Sequence, residues 1–147
     1  MLKTKTGRDK KMRTLNQKAS KIFNKIVKDI NHYKEIKNND AFMAVKVEKL
    51  ETFKYKHFDN EITRYSIGHT YKQNGDLVSD PRMEFLKIGE SVFPSYYEQH
   101  NSPFNRNGLY QESIIIDKEL EYFPELQKDH AIFANTWLNN INNQQFK

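Results

Sequence analysis

From about Lys11 to Ile36 the apolar residues Met12, Leu15, Ala19, Ile22, Phe23, Ile26, Ile30 and Tyr33 recur at steps of three and four. That spacing lays one stripe along an amphipathic helix. Lys11, Lys18, Lys21, Lys25 and Lys28 fall on the opposing side. Asn38-Asn39-Asp40 supplies turn-forming residues to end it. Residues 1–10 ahead of it read as a flexible basic arm. The period then changes to two. Between Ala41 and Leu50, Met43, Val45 and Val47 alternate with Phe42, Ala44, Lys46 and Glu48, as a strand requires. Phe53 to Lys56 continues it after a bend, and His57 to Glu61 is polar and turn-like. Ile62 to Tyr71 alternates again, with Tyr65, Ile67, His69 and Tyr71 on one side and Arg64, Ser66 and Thr70 on the other. Asn74-Gly75 is a hairpin signal, because both residues tolerate positive φ. Asp80-Pro81 punctuates the chain a second time, so a loop from Gln73 to Pro81 is expected before a returning strand from Met83 to Ile88.

Val92 to Tyr97 reads as a short strand that Pro94 confines to an edge or a bulge. His100 to Gly108 is a polar loop, and Leu109 to Ile116 is the last strand, with Ile114-Ile115-Ile116 suggesting burial on both faces. Pro124 suits the first turn of a final helix. Leu126, His130, Phe133, Trp137 and Ile141 form its inward stripe, flanked by Ala134 and Leu138, and the Asn- and Gln-rich tail from Asn139 is expected to fray. The order is helix, four to five antiparallel strands, helix. That order predicts one α+β domain over residues 11–147, with an N-terminal basic amphipathic helix and a C-terminal helix covering one face of a meander.

Composition narrows the chemistry. A chain of 147 residues with 13% aromatics can bury a core without covalent staples, and no run of apolar residues is long enough for a membrane helix. With no secretory pattern at Met1 and no cysteine, a cytoplasmic protein is the simplest reading, without disulfides, thiolate chemistry or Cys-ligated zinc. The net charge of +5 is unevenly placed. Residues 1–30 hold ten Lys or Arg against Asp9 and Asp29, whereas the remaining residues carry 14 basic and 17 acidic groups. An argument from charge is therefore an argument about the N-terminal segment.

His69 to Phe85 (HTYKQNGDLVSDPRMEF), Pro94-Ser95-Tyr96-Tyr97, and Phe133 to Ile141 with its F-x-x-x-W-L-x-N pattern together resemble an uncharacterised domain-of-unknown-function family found in plasmids, integrative conjugative elements and phages. The resemblance covers roughly residues 41–146 and leaves most of the first helix outside. Arg82 departs from the pattern, where an acidic residue is expected. The resemblance implies a mobile-element setting and little about chemistry.

Four groups of residues are candidates for function. His69, Asp76, Asp80 and Glu84 fall within sixteen residues and have the donor types of a metal or hydrolytic site. Each has a simpler reading. His69 shares a strand side with Tyr65 and Ile67, Asp76 and Asp80 sit where turn carboxylates bond the backbone, and Glu84 alternates towards solvent. His100, Asn105 and Arg106 gather in the polar loop, where Ser95 or Ser102 would have to act as nucleophile. No nucleophile elbow, phosphate-binding Gly loop or HExxH is present, and a surface loop is the simpler expectation. His130, within an apolar stripe, reads as a core histidine.

The third group is Lys11, Lys18, Lys21, Lys25 and Lys28 behind the arm's Lys3, Lys5, Arg8 and Lys10, a surface for phosphate or an acidic partner. Lysine rather than arginine limits it to electrostatics without planar recognition. The fourth is aromatic. Phe53, Tyr55, Phe58, Phe93, Tyr96, Tyr97, Phe104 and Tyr110 exceed what one small core readily consumes, and Tyr96, Tyr97, Phe104 and Arg106 would suit a protein partner. The expectation is a non-enzymatic accessory protein that binds a host or element-encoded protein or ribonucleoprotein, inhibition of a host defence complex being one use. A DNA- or RNA-binding protein using the basic helix is the alternative, and a metal-dependent hydrolase the third reading. No cofactor and no membrane contact are expected.

Overall fold

A computed structural model describes residues 11–100 and 108–147. Residues 1–10, expected as a basic arm, lie outside the described residues, as do Ser102, Phe104, Asn105 and Arg106. The elements are α1 (Gln17–Val27), β1 (Tyr33–Ile36), β2 (Val45–Phe53), β3 (Ile62–Gln73), β4 (Asp76–Ile88), β5 (Ser91–Gln99), β6 (Leu109–Glu112), β7 (Ile114–Ile116), β8 (Leu120–Tyr122) and α2 (Pro124–Gln145). Strands β1 to β6 form one antiparallel meander in sequence order, and β7 and β8 form a separate hairpin. The class is α+β as expected, with six strands in the main sheet rather than four or five.

The first helix is shorter than its apolar spacing suggests. Asn16 caps α1 by accepting from the Ala19 N–H at 2.8 Å. Before it, the backbone of residues 13 and 15 is bonded elsewhere: Gln127 grips both the N–H and the carbonyl of Arg13, and the Leu15 N–H donates to the Val92 carbonyl. At the other end Lys28 is extended and Asp29 has φ 59°, which turns the chain out of the helix. Tyr33 to Ile36 then pairs with β2 instead of adding another turn. The basic last turn, through Lys25, suits the helix dipole.

The β3–β4 connection is tighter than expected. Asn74 (φ 53°) and Gly75 (φ 86°) make a two-residue turn, and Gln73 pairs directly with Asp76. Asp80-Pro81, whose peptide is cis, lies inside β4 rather than in a loop, at an irregularity where the register shifts between Gly68 and Thr70. Pro94 also sits at a bulge, between the Glu84–Tyr96 and Phe85–Pro94 pairs, although β5 is internal to the sheet. The β6 ladder spans only Tyr96 to Gln99 of β5, which leaves Pro94 beyond it. The expected last strand is divided at Ser113, and of the three isoleucines Ile114 alone is fully buried.

Two cores result. Phe85 and Leu86 are neighbours on β4, so they face opposite sides. Phe85 packs with Val45, Val47, Ile67 and Met83 beneath both helices, against Phe23 and Ile26 of α1 and Trp137, Leu138 and Ile141 of α2. Leu86 instead joins Ile62, Tyr55, Met12, Ile114, Leu120 and Tyr122 under the β7–β8 hairpin, with Phe53, Phe58 and Phe93 against them. Each fully buried large side chain in these clusters contributes about 1.5–3 kcal/mol. The second cluster absorbs four of the aromatics that one core could not.

Helix α2 corrects two further expectations. Leu126 is only half-buried and Phe133 is 39% exposed, while Gln127, Ala131, Asn142 and Gln145 are buried. The helix runs to Gln145 rather than fraying from Asn139. Its amides hold backbone. Gln127 Nε2 donates to the Arg13 and Pro94 carbonyls, and Gln145 accepts from the Asn39 N–H and donates to the Asn39 and Met43 carbonyls. A glutamine carries both donor and acceptor, so it substitutes for a missing strand neighbour.

Candidate functional site: the outer face of the sheet

The helices cover one face of the meander. On the other face, register carries two rows across all six strands. One row reads Glu35, Lys46, Gly68, Arg82, Glu98 and Tyr110; the next reads Tyr33, Glu48, Ser66, Glu84, Tyr96 and Glu112. The rows hold five carboxylates against two cations, and the second row has three carboxylates and no cation. A groove of about 360 Å³ opens over them, lined among others by Tyr33, Lys46, Ser66, Arg82, Glu98 and His100.

The floor of that groove is fixed by an ion cluster. Arg82 donates to Glu84 at 3.0 Å, to Glu98 at 3.2 Å and to Ser66 Oγ at 2.9 Å, and its guanidinium lies over the Tyr96 ring. Glu98 also accepts from Ser79 Oγ at 2.5 Å and from the Tyr96 hydroxyl at 2.8 Å, and His100 Nε2 lies 3.2 Å from it. Burial by itself would push the Glu98 carboxyl up. The hydrogen bonds from Arg82, Ser79 and Tyr96 outweigh it and hold the group below the ordinary carboxylate range. Burial, then the neighbouring Glu98, pushes the Tyr96 phenol up. Gly68 makes the arrangement possible: a Cβ there would stand 2.9 Å from Cβ and Cγ of Arg82, so any side chain would displace the arginine.

A second polar group lies under α2. The Ser113 hydroxyl is 2.7 Å from His130 Nδ1, His130 Nε2 is 3.2 Å from the Gln111 amide oxygen, and Tyr97 stacks on the imidazole. With Nε2–H donating to Gln111, Nδ1 accepts from Ser113. Burial pushes the His130 pKa down to about 4, which Asp129 only partly opposes. Ser113 is wholly buried. The pair therefore acts as a neutral tie between sheet and helix.

The sequence candidates are dispersed by the fold. His69 faces α2, edge-on to Trp137 and 3.1 Å from the Ala44 carbonyl; Glu84 is on the outer face. Asp76 is exposed at the hairpin tip, and Asp80 accepts from Gln99. Among the described residues no group of three or more His, Asp or Glu could hold a metal ion. Ser95 is buried and bonded to the Glu84 carbonyl, away from His100, which binds Ser79 and Glu98 instead. Tyr96 and Tyr97 lie on opposite faces: Tyr96 joins the outer cluster, and Tyr97 packs edge-on against Phe133. Tyr110 and Tyr33 are exposed on the outer face, the second at a position the sequence reading placed on a helix.

Lys11, Lys18, Lys21, Lys25 and Lys28 are all exposed. Lys25 is occupied internally, donating to Asn142 and lying over the Phe146 ring. The Arg82–Glu98 cluster was missed in the sequence because its members come from different strands. The available signal was the hairpin itself: counting back from Asn74-Gly75 brings Gly68 close to Arg82. No described helix is long and apolar enough to cross a membrane.

A family model described as a domain of unknown function, DUF6908, matches residues 10–147, a span that includes α1 and every strand. No curated protein and no solved structure matches the chain.

Proposed function

The chain belongs to the DUF6908 family of domains of unknown function, and we propose that it is a non-enzymatic binding module that contacts a host or element-encoded protein through the outer face of the sheet. The observation that carries this reading is the state of that face. Two cross-strand rows lie on it away from the helices, ending in the exposed Tyr33 and Tyr110 on the edge strands, and its charged floor, in which Ser66 and Glu98 are buried, is locked by its own ion pairs before any partner arrives. A preformed polar surface with exposed aromatics loses little side-chain freedom on binding. Its surplus of carboxylates favours a cationic partner surface. The resemblance of the His69–Phe85 hairpin to a mobile-element family supports an accessory role there, with stoichiometric inhibition of a host defence complex as one use; that use rests on setting rather than on chemistry.

DNA or RNA binding by Lys11, Lys18, Lys21 and Lys28 is the second reading, favoured by the exposure of Lys18 and Lys21 on α1 and of Lys11 and Lys28 outside its ends. A hydrolase has less support, since His69 and Glu84 lie on opposite faces. The readings separate by affinity capture from host lysate, with and without nuclease, using wild type, Tyr33→Ala/Tyr110→Ala and Lys18→Gln/Lys21→Gln/Lys28→Gln. The module reading expects a defined protein that survives nuclease, is lost with the tyrosines and is kept without the lysines. Capture that needs nucleic acid and the lysines would overturn it in favour of the second reading.

A further inference from the structure

The carboxylates of the outer face are of two kinds. Glu84 and Glu98 are largely buried and held by Arg64 and Arg82, so their charge is already met. Glu35, Glu48 and Glu112 are exposed, and none of them has an ion pair or a side-chain hydrogen bond among the described residues. Register gathers the first two at one edge. Tyr33 of β1 pairs with Glu48, and Glu35 follows on the same strand side, so the two carboxylates flank one phenol. Burial, then Glu35 and Glu48, pushes that phenol up, as two acidic neighbours require. Tyr33 is nevertheless 54% exposed, which leaves its ring open to an ammonium or guanidinium group. Glu112 stands in the same row on β6, four strands from Glu48 and about 19 Å away at ordinary strand spacing. Between them the row holds Ser66, Glu84 and Tyr96 and no cation; Lys46 lies in the neighbouring row, opposite Glu35.

We propose that the partner presents an extended basic segment that crosses the strands of this face, with one lysine or arginine over Tyr33 between Glu35 and Glu48 and a second against Glu112. This rests on the reading of the outer face as the partner surface and names the chemistry of what lies on it. An extended chain advances about 3.3 Å per residue and returns to the same side at every second residue. Two cations six residues apart therefore span about 20 Å on one side, close to the distance between Glu48 and Glu112. The whole protein carries a net charge of +5, so it has no general attraction for a cationic peptide. Binding of such a peptide must come from a local acidic site. The contacts at both ends are between exposed charges, so salt screens them.

The probe is a synthetic peptide of serine, threonine and glycine that carries two lysines six residues apart, titrated into the isotope-labelled protein and followed by nuclear magnetic resonance. At about 20 mM salt the backbone amides of Tyr33, Glu48 and Glu112 should shift together and saturate, and at about 500 mM the shifts should vanish. Glu48→Gln/Glu112→Gln should weaken binding about fivefold. Glu61→Gln/Glu90→Gln removes the same charge from exposed positions before β3 and in the β4–β5 turn, and should leave binding unchanged. A peptide whose lysines are three residues apart, on opposite sides of an extended chain, should bind no better than one with a single lysine. Absence of shifts at low salt, shifts confined to one edge, or binding that ignores the Glu48 and Glu112 changes overturns the proposal. Peptide failure alongside host-protein capture that still needs Tyr33 and Tyr110 strikes the basic segment and leaves the face; capture that does not need them strikes the face itself.

Discussion

Replacing Arg82 with methionine should be among the most damaging single changes on the outer face, and its damage should depend on pH in a defined sense. The guanidinium is 24% exposed and the Glu98 side chain 10% exposed, so the variant leaves a nearly buried carboxylate without its counter-ion. Breaking a buried pair by removing one partner costs about 3–5 kcal/mol. Here Ser79 and Tyr96 still donate to Glu98, and some solvent reaches the arginine, so the expected loss is about 2–4 kcal/mol at neutral pH. In wild type the folded carboxyl titrates below its unfolded value, so its contribution is present above the ordinary carboxylate range and is lost as pH falls through the folded value. In the variant burial dominates and raises the folded value above the unfolded one. Protonation then relieves the penalty, and the difference between variant and wild type should shrink between about pH 7 and about pH 5. Urea unfolding at both pH values measures this. Adding Glu98→Gln to Arg82→Met should recover part of the loss, because no buried charge remains. A loss under about 1 kcal/mol at neutral pH, or one independent of pH, would refute the reasoning.

Two further changes probe neighbouring features. Gly68→Ala should cost about 1–3 kcal/mol in thermal or urea unfolding, because its Cβ must move Arg82 from 2.9 Å; an unchanged midpoint would mean that the arginine has room to shift. His130 titrates near 4 when folded and near 6.5 when unfolded, so its contribution is complete above the unfolded value and is lost as pH falls towards the folded one. Wild type should lose about 2 kcal/mol on that account, after allowance for solvent screening, and His130→Gln should show a flatter acid limb by about one proton. An identical limb in the variant would assign the acid sensitivity elsewhere.

The sequence was most legible where one local signal decides the structure. The apolar face of α1, the Asn74-Gly75 turn and Pro124 at the start of α2 can each be read within a few residues. It misled where a tertiary partner overrides the local pattern. Ile30, Tyr33 and Ile36 continue the helical spacing, yet Asp29 adopts positive φ and β2 offers a neighbour, so the chain turns back as an edge strand. Pro81 looks like a loop marker, but a register irregularity accommodates it inside β4. Gln127 and Gln145 look like surface residues until the backbone they bind is known, and Asn142 does so until Lys25 of α1 is seen to donate to it. The outer face was illegible for the same reason. Glu35, Lys46, Gly68, Arg82, Glu98 and Tyr110 become one row only through five strand registers, and an error of one residue at any bulge sends its members to the other side.

The glutamines of α2 also bear on when the molecule can form. Gln127 holds a backbone 114 residues earlier, and Gln145 one 106 residues earlier. On a ribosome, where synthesis runs from the N-terminus, the segment around Arg13 and the loop around Asn39 must wait for α2 to emerge. Until then α1 has no second helix beside it, and the apolar side of the growing sheet is only half covered. Completion of this domain therefore follows the synthesis of α2. A truncation or fusion that disturbs the last turn of α2 should reduce the yield of folded protein well before it touches the outer face.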